Sequence, residues 1–414
     1  MRLARRRSTQ RAAQGMASGE PLPVVLAVLP SQGIGGGIER YCEWLLESTE
    51  GCGARVVRVP LLESVVAPTF WRKTRFVIRL IRVVRLLRGS NPVTVVVAHP
   101  NLALVSLAVA RVARLRPVAF LVIFHGEDIW GCGRITRWAL RHWPVRVLTV
   151  SSFSAGALSL LAPATIVVPG LPRRWFDHLC ALGGRARDGD PQELRILTVF
   201  RLDAAVSKGL PELLEALERL RDRHRCCLTV AGAGALPAAL AQAVCRLSWV
   251  SVVADPTDSE LAQLYADADV FVLATRTRSA PPTSGEGFGL SLVEAQLAGT
   301  PVVAPALGGS DDAFVAGVTG LKPTDESVEA LTDVLERLAA SPALRAQLAH
   351  NARLWSRVAF DPDRRCWEVR KTLFAFGGMV SPEDASILPL VLDTARHSTQ
   401  SGRDDGGVAS QTST

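Results

Sequence analysis

Lysine is nearly missing from this chain of 414 residues: Lys73, Lys208, Lys322 and Lys371 are four among 47 basic side chains. Almost every positive charge is therefore an arginine, and each lysine invites its own reason. Paired cysteines are missing too. Cys42, Cys52, Cys132, Cys180, Cys226, Cys227, Cys245 and Cys366 form no C-x-x-C and have no histidine at metal-ligand spacing, which argues against a zinc site or a disulfide framework. They fit a reducing compartment, mostly as small buried hydrophobes. No long apolar run survives inspection, because the best candidate, Val93 to Ala110, is broken by Thr94, His99, Pro100, Asn101 and Ser106. It reads as strand, turn and helix and not as a membrane span. The Gly-Lys-Ser/Thr of a P-loop is absent, and so is an aromatic stacking platform for nucleic acid. A cytoplasmic protein, reaching at most to the inner face of the membrane, is expected, with no nucleic-acid partner.

What is present is ordinary for a globular chain, with 48% hydrophobic and 21% charged residues. The length suits two domains of roughly 150–200 residues. Part of the net charge of +8 sits in Met1–Glu20, where Arg2, Arg5, Arg6, Arg7 and Arg11 face the single acid Glu20. The body is then only mildly basic, a balance that permits an anionic substrate or a membrane surface.

Short apolar runs recur at 23–30, 54–60, 93–99, 118–125, 145–151 and 165–170, separated by helix-period segments. Continuous apolarity bounded by turn residues marks strands covered on both faces, and alternation with helices marks a parallel sheet. The pattern breaks at 183–192, rich in Gly, Asp and Arg, and restarts at 194–200, 227–232, 250–255, 270–275 and 301–306. Helices are expected at about 209–223, 236–246, 258–267, 289–298, 326–340, 343–357 and 362–378. The expected organisation is a basic tail (1–20), a first α/β domain (21–182), a linker (183–192), a second α/β domain (193–357), a last helix (358–380) and a polar tail (381–414). Both tails are expected to be disordered.

Ligands of such sheets bind outside the carboxyl ends of the strands, so the chemistry should lie in the strand-to-helix loops. The first loop, SQGIGGGIERY (31–41), opens a helix with glycines and suits an anion, although Ile38 stands where a dinucleotide fingerprint needs its third glycine. The fourth strand delivers His125, Glu127 and Asp128 to the sheet edge. In the second half, Arg201 ends a strand and Lys208 starts a helix, two cations suited to clamping a diphosphate. The segment SGEGFGLSLVEAQLAGTPVVA (284–304) carries Glu286 in a loop and Glu294 in the first turns of a helix. The two carboxylates flank the backbone N–H groups of Gly289, Leu290 and Ser291, an arrangement that can hold sugar hydroxyls and phosphate together.

These segments together resemble the retaining, nucleotide-sugar-dependent glycosyltransferases of family 4, over roughly residues 22–378. The strongest element is the E-x7-E pattern EGFGLSLVE, from Glu286 to Glu294. GGGIE (35–39), HGED (125–128), RLD with SKG (201–209), 258–275 and 299–321 support it. The resemblance implies the GT-B fold, two facing Rossmann-like domains with parallel sheets, and no cofactor besides a nucleotide-diphosphate sugar donor, UDP- or GDP-linked. It implies that Arg201 and Lys208 bind the donor diphosphate and Glu294 the ribose hydroxyls. Glu286 with Gly287, Phe288, Gly289 and Leu290 would hold the sugar and phosphate, Gly36 and Gly37 would close over the donor, and His125 would contact the transferred sugar. No metal ligand is expected. The last helix would cross back to the first domain. The sequence departs from the family in Phe200 before the arginine, in the seven steps from Arg201 to Lys208, in Asp311 and Asp312 where a glutamate is usual, and in the long segment 275–285.

The acceptor would be a glycan, a lipid-linked group or a small molecule. A nucleotide-sugar epimerase and a non-catalytic sugar-nucleotide-binding subunit are the competing readings. Residues 71–89 place Arg72, Arg75, Arg79, Arg82 and Arg85 at helical spacing, with Phe76, Leu80, Val83, Leu86 and Leu87 on the remaining arc. Such a helix either packs its apolar face on the sheet or lies on anionic lipid as a peripheral membrane contact.

Overall fold

The computed structural model describes residues 23–374 apart from 34–35, 64–68, 90–91, 127, 185–192 and 279–282. The two expected tails, Gly35, Glu127, residues 375–380 and most of the 183–192 linker lie outside the described residues.

The apolar runs form two six-stranded, wholly parallel sheets. The first contains β1 (Val24–Ser31), β2 (Arg55–Leu62), β3 (Val93–Val97), β4 (Ala119–Phe124), β5 (Arg146–Thr149) and β6 (Ala164–Ile166), in the order β2-β1-β3-β4-β5-β6. The second contains β7 (Leu194–Val199), β8 (Cys226–Gly232), β9 (Val250–Ala254), β10 (Val270–Val272), β11 (Val302–Val303) and β12 (Gly320–Leu321), in the order β12-β11-β10-β7-β8-β9. Every residue of β3 and β4 is buried, as expected of strands covered on both faces. The edge strands depart from that pattern: Arg55 and Arg58 of β2 and Ser251 and Val252 of β9 are exposed, because an edge strand lacks one neighbour and is only partly covered. Each sheet reverses direction beside its first strand, between β1 and β3 and between β7 and β10. That reversal opens a crevice at the carboxyl ends of those strands.

Around the first sheet run α1 (Gly37–Gly51), α2 (Phe70–Leu87), α3 (Ala103–Val112), α4 (Asp128–Gly131), α5 (Arg134–His142), α6 (Ser152–Leu158) and α7 (Arg173–Leu182). Around the second run α8 (Leu210–Arg221), α9 (Ala238–Val244), α10 (Asp258–Asp267), α11 (Leu290–Leu297), α12 (Val328–Ala340), α13 (Pro342–Ala359) and α14 (Pro362–Phe374). One apolar cluster runs without a break from Tyr41 and Trp44 on α1 through Trp175 to Tyr265, Phe288 and Phe360, so the inner layers of both halves share a core. The separate outer clusters lie under α2, α3 and α5 and under α8 and α12. The chain ends this arrangement by bringing α14 back against α1, where Cys366 Sγ stands 3.5 Å from Cys52 Sγ and Asp363 pairs with Arg173.

α2 packs on the sheet with Phe76, Leu80, Val84 and Leu87 buried, while Leu86 is 80% exposed. The expected apolar arc is thus correct for Phe76, Leu80 and Leu87 and misplaced for Leu86. At 100° per residue the six steps from Leu80 put Leu86 about 120° round the helix, outside the buried arc.

Candidate functional site

The two crevices face each other, and between them lies one cavity of about 840 Å³. The eleven residues to which the resemblance gives a role all line it: Gly36, Gly37, His125, Arg201, Lys208, Glu286, Gly287, Phe288, Gly289, Leu290 and Glu294. Two helices begin at its wall. α1 is N-capped by Gly36 and α11 by Gly289, and no side chain caps either. The first-turn N–H groups of a helix have no partner within the helix. Two positive helix ends therefore converge on one cavity, which favours a bound anion. α8 starts just after the lining Lys208, but its own end is closed, because the Leu210 N–H donates to the Ala205 carbonyl and Pro211 has no N–H.

The cations around the cavity are held by acids of the same site. Arg201 forms a forked pair with Asp203, at 2.6 Å through Nη2 and 3.2 Å through Nε. That hydrogen-bonded partner holds the Asp203 carboxyl below its usual range. Lys208 Nζ donates to Glu286 Oε2 at 3.1 Å, and Thr275 Oγ1 donates to the same oxygen at 3.4 Å. The first half comes within reach of this group, since a Cβ placed on Gly36 would stand 3.9 Å from Arg201 Cδ. Glu39, buried behind the glycine loop, accepts from Ser31 Oγ at 3.3 Å and from the Gly33 N–H, so a carboxylate of α1 ties its own leading loop.

Glu294 is buried and its oxygens are occupied. Oε1 accepts from Trp175 Nε1 at 2.9 Å and from Arg40 Nη1 at 3.2 Å, and Oε2 accepts from Tyr265 OH at 2.7 Å. Arg40 also pairs with Asp258 at 2.8 Å and lies over the Trp175 ring. Its reach from α1 to α10 and α11 makes it a bridge between the two halves. The capping box of Thr257 and Glu260 fixes the start of α10 and so the place of Asp258.

His125 Nε2 donates to the Ala98 carbonyl at 2.7 Å, and the Tyr41 ring meets the imidazole edge-on at 5.1 Å. Burial lowers its pKa against the opposing pull of Asp128. The imidazole is therefore neutral with the proton on Nε2. Asp128 accepts from the backbone N–H groups of His125 and Gly126 and shapes the turn that carries the ring.

Two glycines of the EGFG turn are required by the geometry. A Cβ on Gly287 would stand 1.6 Å from the His125 carbonyl oxygen, so a side chain there would force the halves apart. Gly289 sits at φ +88°, in the left-handed region that glycine adopts without strain. The close approach at Gly287 is thus made to the backbone of the other half. Asp312 accepts from Ser152 Oγ at 2.9 Å across the same junction, and Asp311 pairs with Lys322 at 2.8 Å. Of the 275–285 segment, Gly285 lines the cavity and Arg276 is held by Glu212 at 2.9 Å, with 279–282 outside the described residues.

Sequence reasoning passed over Arg40, Trp175, Tyr265 and Asp258. Arg40 had a signal, since it follows the glycine loop in GGGIER at the start of a helix; the other three are brought to Glu294 only by the fold. Among the described residues, no group of His, Cys, Asp and Glu could hold a metal ion, and no helix is long and apolar enough to cross a membrane.

Two parallel α/β sheets closing on a shared cavity are the GT-B architecture, that of the glycosyltransferases among this chain's structural neighbours. The second half is more specific: residues 193–341 match the family model described as glycosyl transferases group 1. Over 195 residues the chain is 35% identical to the D-inositol 3-phosphate glycosyltransferase of Frankia alni, covering 45% of this chain and 47% of that protein. Over 336 residues it is 29% identical to the GDP-mannose-dependent alpha-(1-6)-phosphatidylinositol monomannoside mannosyltransferase of Mycolicibacterium smegmatis, covering 77% and 83%. The crystal structure of Anabaena HepE in complex with UDP and glucose superposes with a TM-score of 0.63 at 18% identity, covering 85% of this chain and 99% of that one. The chain spans less than half the length of the D-inositol 3-phosphate glycosyltransferases it matches.

Proposed function

We propose that the protein is a retaining glycosyltransferase of the family 4 type, moving a sugar from a UDP- or GDP-linked donor to a glycan, lipid-linked or small-molecule acceptor. The observation that carries this reading is the convergence of two helix N-termini without side-chain caps, those of α1 and α11, with Arg201 and Lys208, on a cavity of about 840 Å³. Cleaving a sugar–phosphate bond builds negative charge on the departing diphosphate, and fixed donors aimed at that charge stabilise the transition state. Arg201 leaves its exposed partner Asp203 at little cost, because exposed ion pairs contribute little. Lys208 turns from Glu286 to the phosphate, which releases the carboxylate for the sugar hydroxyls. The ribose hydroxyls take the place of Arg40 on Glu294, and Arg40 keeps Asp258 and the Trp175 face. The neutral His125 meets the transferred sugar without adding charge beside the anomeric carbon. The acceptor attacks from the leaving-group face and the phosphate takes its proton, so the anomeric configuration is kept.

A donor named for GDP-mannose in one relative and UDP with glucose bound in a structural neighbour support a nucleoside-diphosphate sugar. A lipid-linked acceptor would be met at a bilayer surface, so a peripheral contact through 71–89 belongs to this reading. The test is product analysis with a UDP- or GDP-sugar and candidate acceptors. Release of nucleoside diphosphate matched by a new glycoside with the donor's anomeric configuration, read from proton coupling by NMR, is expected. An inverted product overturns the retaining mechanism, and an isomerised donor with no glycoside overturns the transferase reading.

A further inference from the structure

Charge is distributed far less evenly than the net value suggests. Between residues 64 and 176 the sequence holds sixteen lysines and arginines and only two acids, Glu127 and Asp128. The expectation of a mildly basic body therefore holds only as an average, and this stretch concentrates the excess. Most of it is carried on one side of the first sheet, because α2, α3 and α5 follow strands that step in one direction across the sheet and right-handed crossovers then place them on the same face. None of these three helices contains an acid.

The outward side of this layer is also apolar. α2 turns Phe76, Leu80, Val84 and Leu87 inward and so presents Trp71 (77% exposed), Ile78 and Leu86 outward, between Arg75, Arg82 and Arg85. Ile135 (71% exposed) and Trp138 stand out from α5 beside Arg134, and Val112 from the end of α3 beside Arg111. Among the described residues no carboxylate pairs with Arg75, Arg82 or Arg85. Phe70, Trp71, Ile135 and Trp138 lie in the first turns of their helices, which begin at the carboxyl edge of the sheet where the cavity opens. On that same edge, Arg72, Arg75 and Arg79 wall a second cavity of about 200 Å³ against the end of β2, where Glu63 also lines it and pairs with Arg79.

We propose that this three-helix face docks on an anionic lipid bilayer, with the arginines on the headgroups and Trp71, Ile135 and Trp138 entering the interface. Basic side chains interleaved with exposed aromatic and aliphatic ones suit such a surface, since arginine meets the phosphates while the apolar groups leave water. Duplex nucleic acid offers the charge but no apolar layer to receive Trp71, Leu86, Ile135 and Trp138. An acidic protein is left as an outcome of the test. The inference extends the peripheral contact of 71–89 to a whole face. It needs no turnover, so it stands or falls apart from the transferase reading.

The test is flotation of the full chain with vesicles of phosphatidylcholine alone and with vesicles of phosphatidylcholine and phosphatidylglycerol at 7:3. Binding is expected to the anionic vesicles, at least tenfold stronger than to the neutral ones. The combined Arg75→Gln, Arg82→Gln and Arg85→Gln change should weaken it roughly 100-fold at low salt. The combined Trp71→Ser, Ile135→Ser and Trp138→Ser change should abolish binding in 0.5 M salt and remove tryptophan quenching by brominated lipid. Thermal unfolding of each variant checks that it folds, and Trp71→Ser alone, at an exposed site, serves if a triple does not. No binding to anionic vesicles overturns the proposal, as does equal binding to neutral ones or unchanged quenching. Full competition by duplex DNA at equal phosphate concentration makes the face a general polyanion surface and overturns it too.

Discussion

Lys208 and Glu294 show how a site residue can be committed to protein partners before any ligand arrives. Lys208 is held by Glu286 on the wall of the cavity, where the proposed donor's diphosphate would lie. Removing such a fixed electrostatic donor costs about 2.7–4 kcal/mol, or roughly 10²–10³ in rate. Lys208→Ala is expected to lose that much turnover at saturating donor; turnover near wild type would remove Lys208 from the diphosphate clamp. His125 leads to a prediction about pH. Its folded pKa is lowered by burial, and that of the neighbouring His99 is lowered for the same reason. The unfolded chain, with histidines titrating near about 6.5, binds more protons just below that value than the folded one. Stability is therefore full above about pH 6.5 and falls as the pH drops below it. Denaturation midpoints measured from pH 7.5 to 5 should decrease, and His125→Gln should flatten the slope; an equal slope in both proteins would show that His125 is not buried neutral.

That these candidate residues would meet in one place was readable because strand-end loops are few and each brings a short run to the sheet edge. Their partners were not readable. Arg40 and Trp175 lie 254 and 119 residues from Glu294 in sequence, and nothing local marks the contact. Asp311 and Asp312, noted as departures from the family pattern, are occupied by Lys322 and by Ser152 of the other half, partners that only tertiary structure supplies.

At the scale of elements, periodicity located the strands of the first half, all but one of the second and the helices of the second half to within a few residues, while the short helices α4, α5 and α6 of the first half were given no range. Long apolar runs such as 118–125 and capped helices such as α10 carry their signal locally. β12 escaped because two residues, Gly320 and Leu321, have no period to detect, and α7 escaped because its arginines and aromatics in LPRRWFDHL look like an irregular connection. α7 is nonetheless the element that delivers Trp175 to Glu294. The turn at Gly287 offers a direct test of how elements meet. A methyl group there would overlap the His125 carbonyl, and overpacking of this kind costs about 1–3 kcal/mol. Gly287→Ala should leave the secondary structure intact by circular dichroism, enlarge the radius of gyration in solution scattering, and lower turnover. An unchanged radius with full activity would show that the halves do not close through this contact.

For the whole molecule, the resemblance implied two facing domains with a last helix returning to the first, but neither the contacts that close them nor the charge asymmetry across the first sheet was drawn from the sequence. Closure follows from contacts spread over both halves: the shared apolar cluster, Arg40 between α1 and α11, Ser152 with Asp312, and the return of α14 onto α1. The asymmetry was present in the order of residues, but its meaning depends on which helices share a face. Together they describe a protein with one large cavity between its halves and a basic, partly apolar flank beside the cavity mouth.

The central claim is that this cavity binds a nucleoside-diphosphate sugar through its phosphates and ribose. Thermal unfolding of the full chain with UDP-, GDP-, ADP- and dTDP-sugars tests it most directly, since a ligand at 100 times its Kd stabilises the folded state by about 2.7 kcal/mol. The account predicts a clear rise in Tm with UDP- or GDP-sugars, lost in Lys208→Ala and in Glu294→Ala. A chain that no nucleotide sugar stabilises, or one whose two variants are stabilised as much as the wild type, would contradict it.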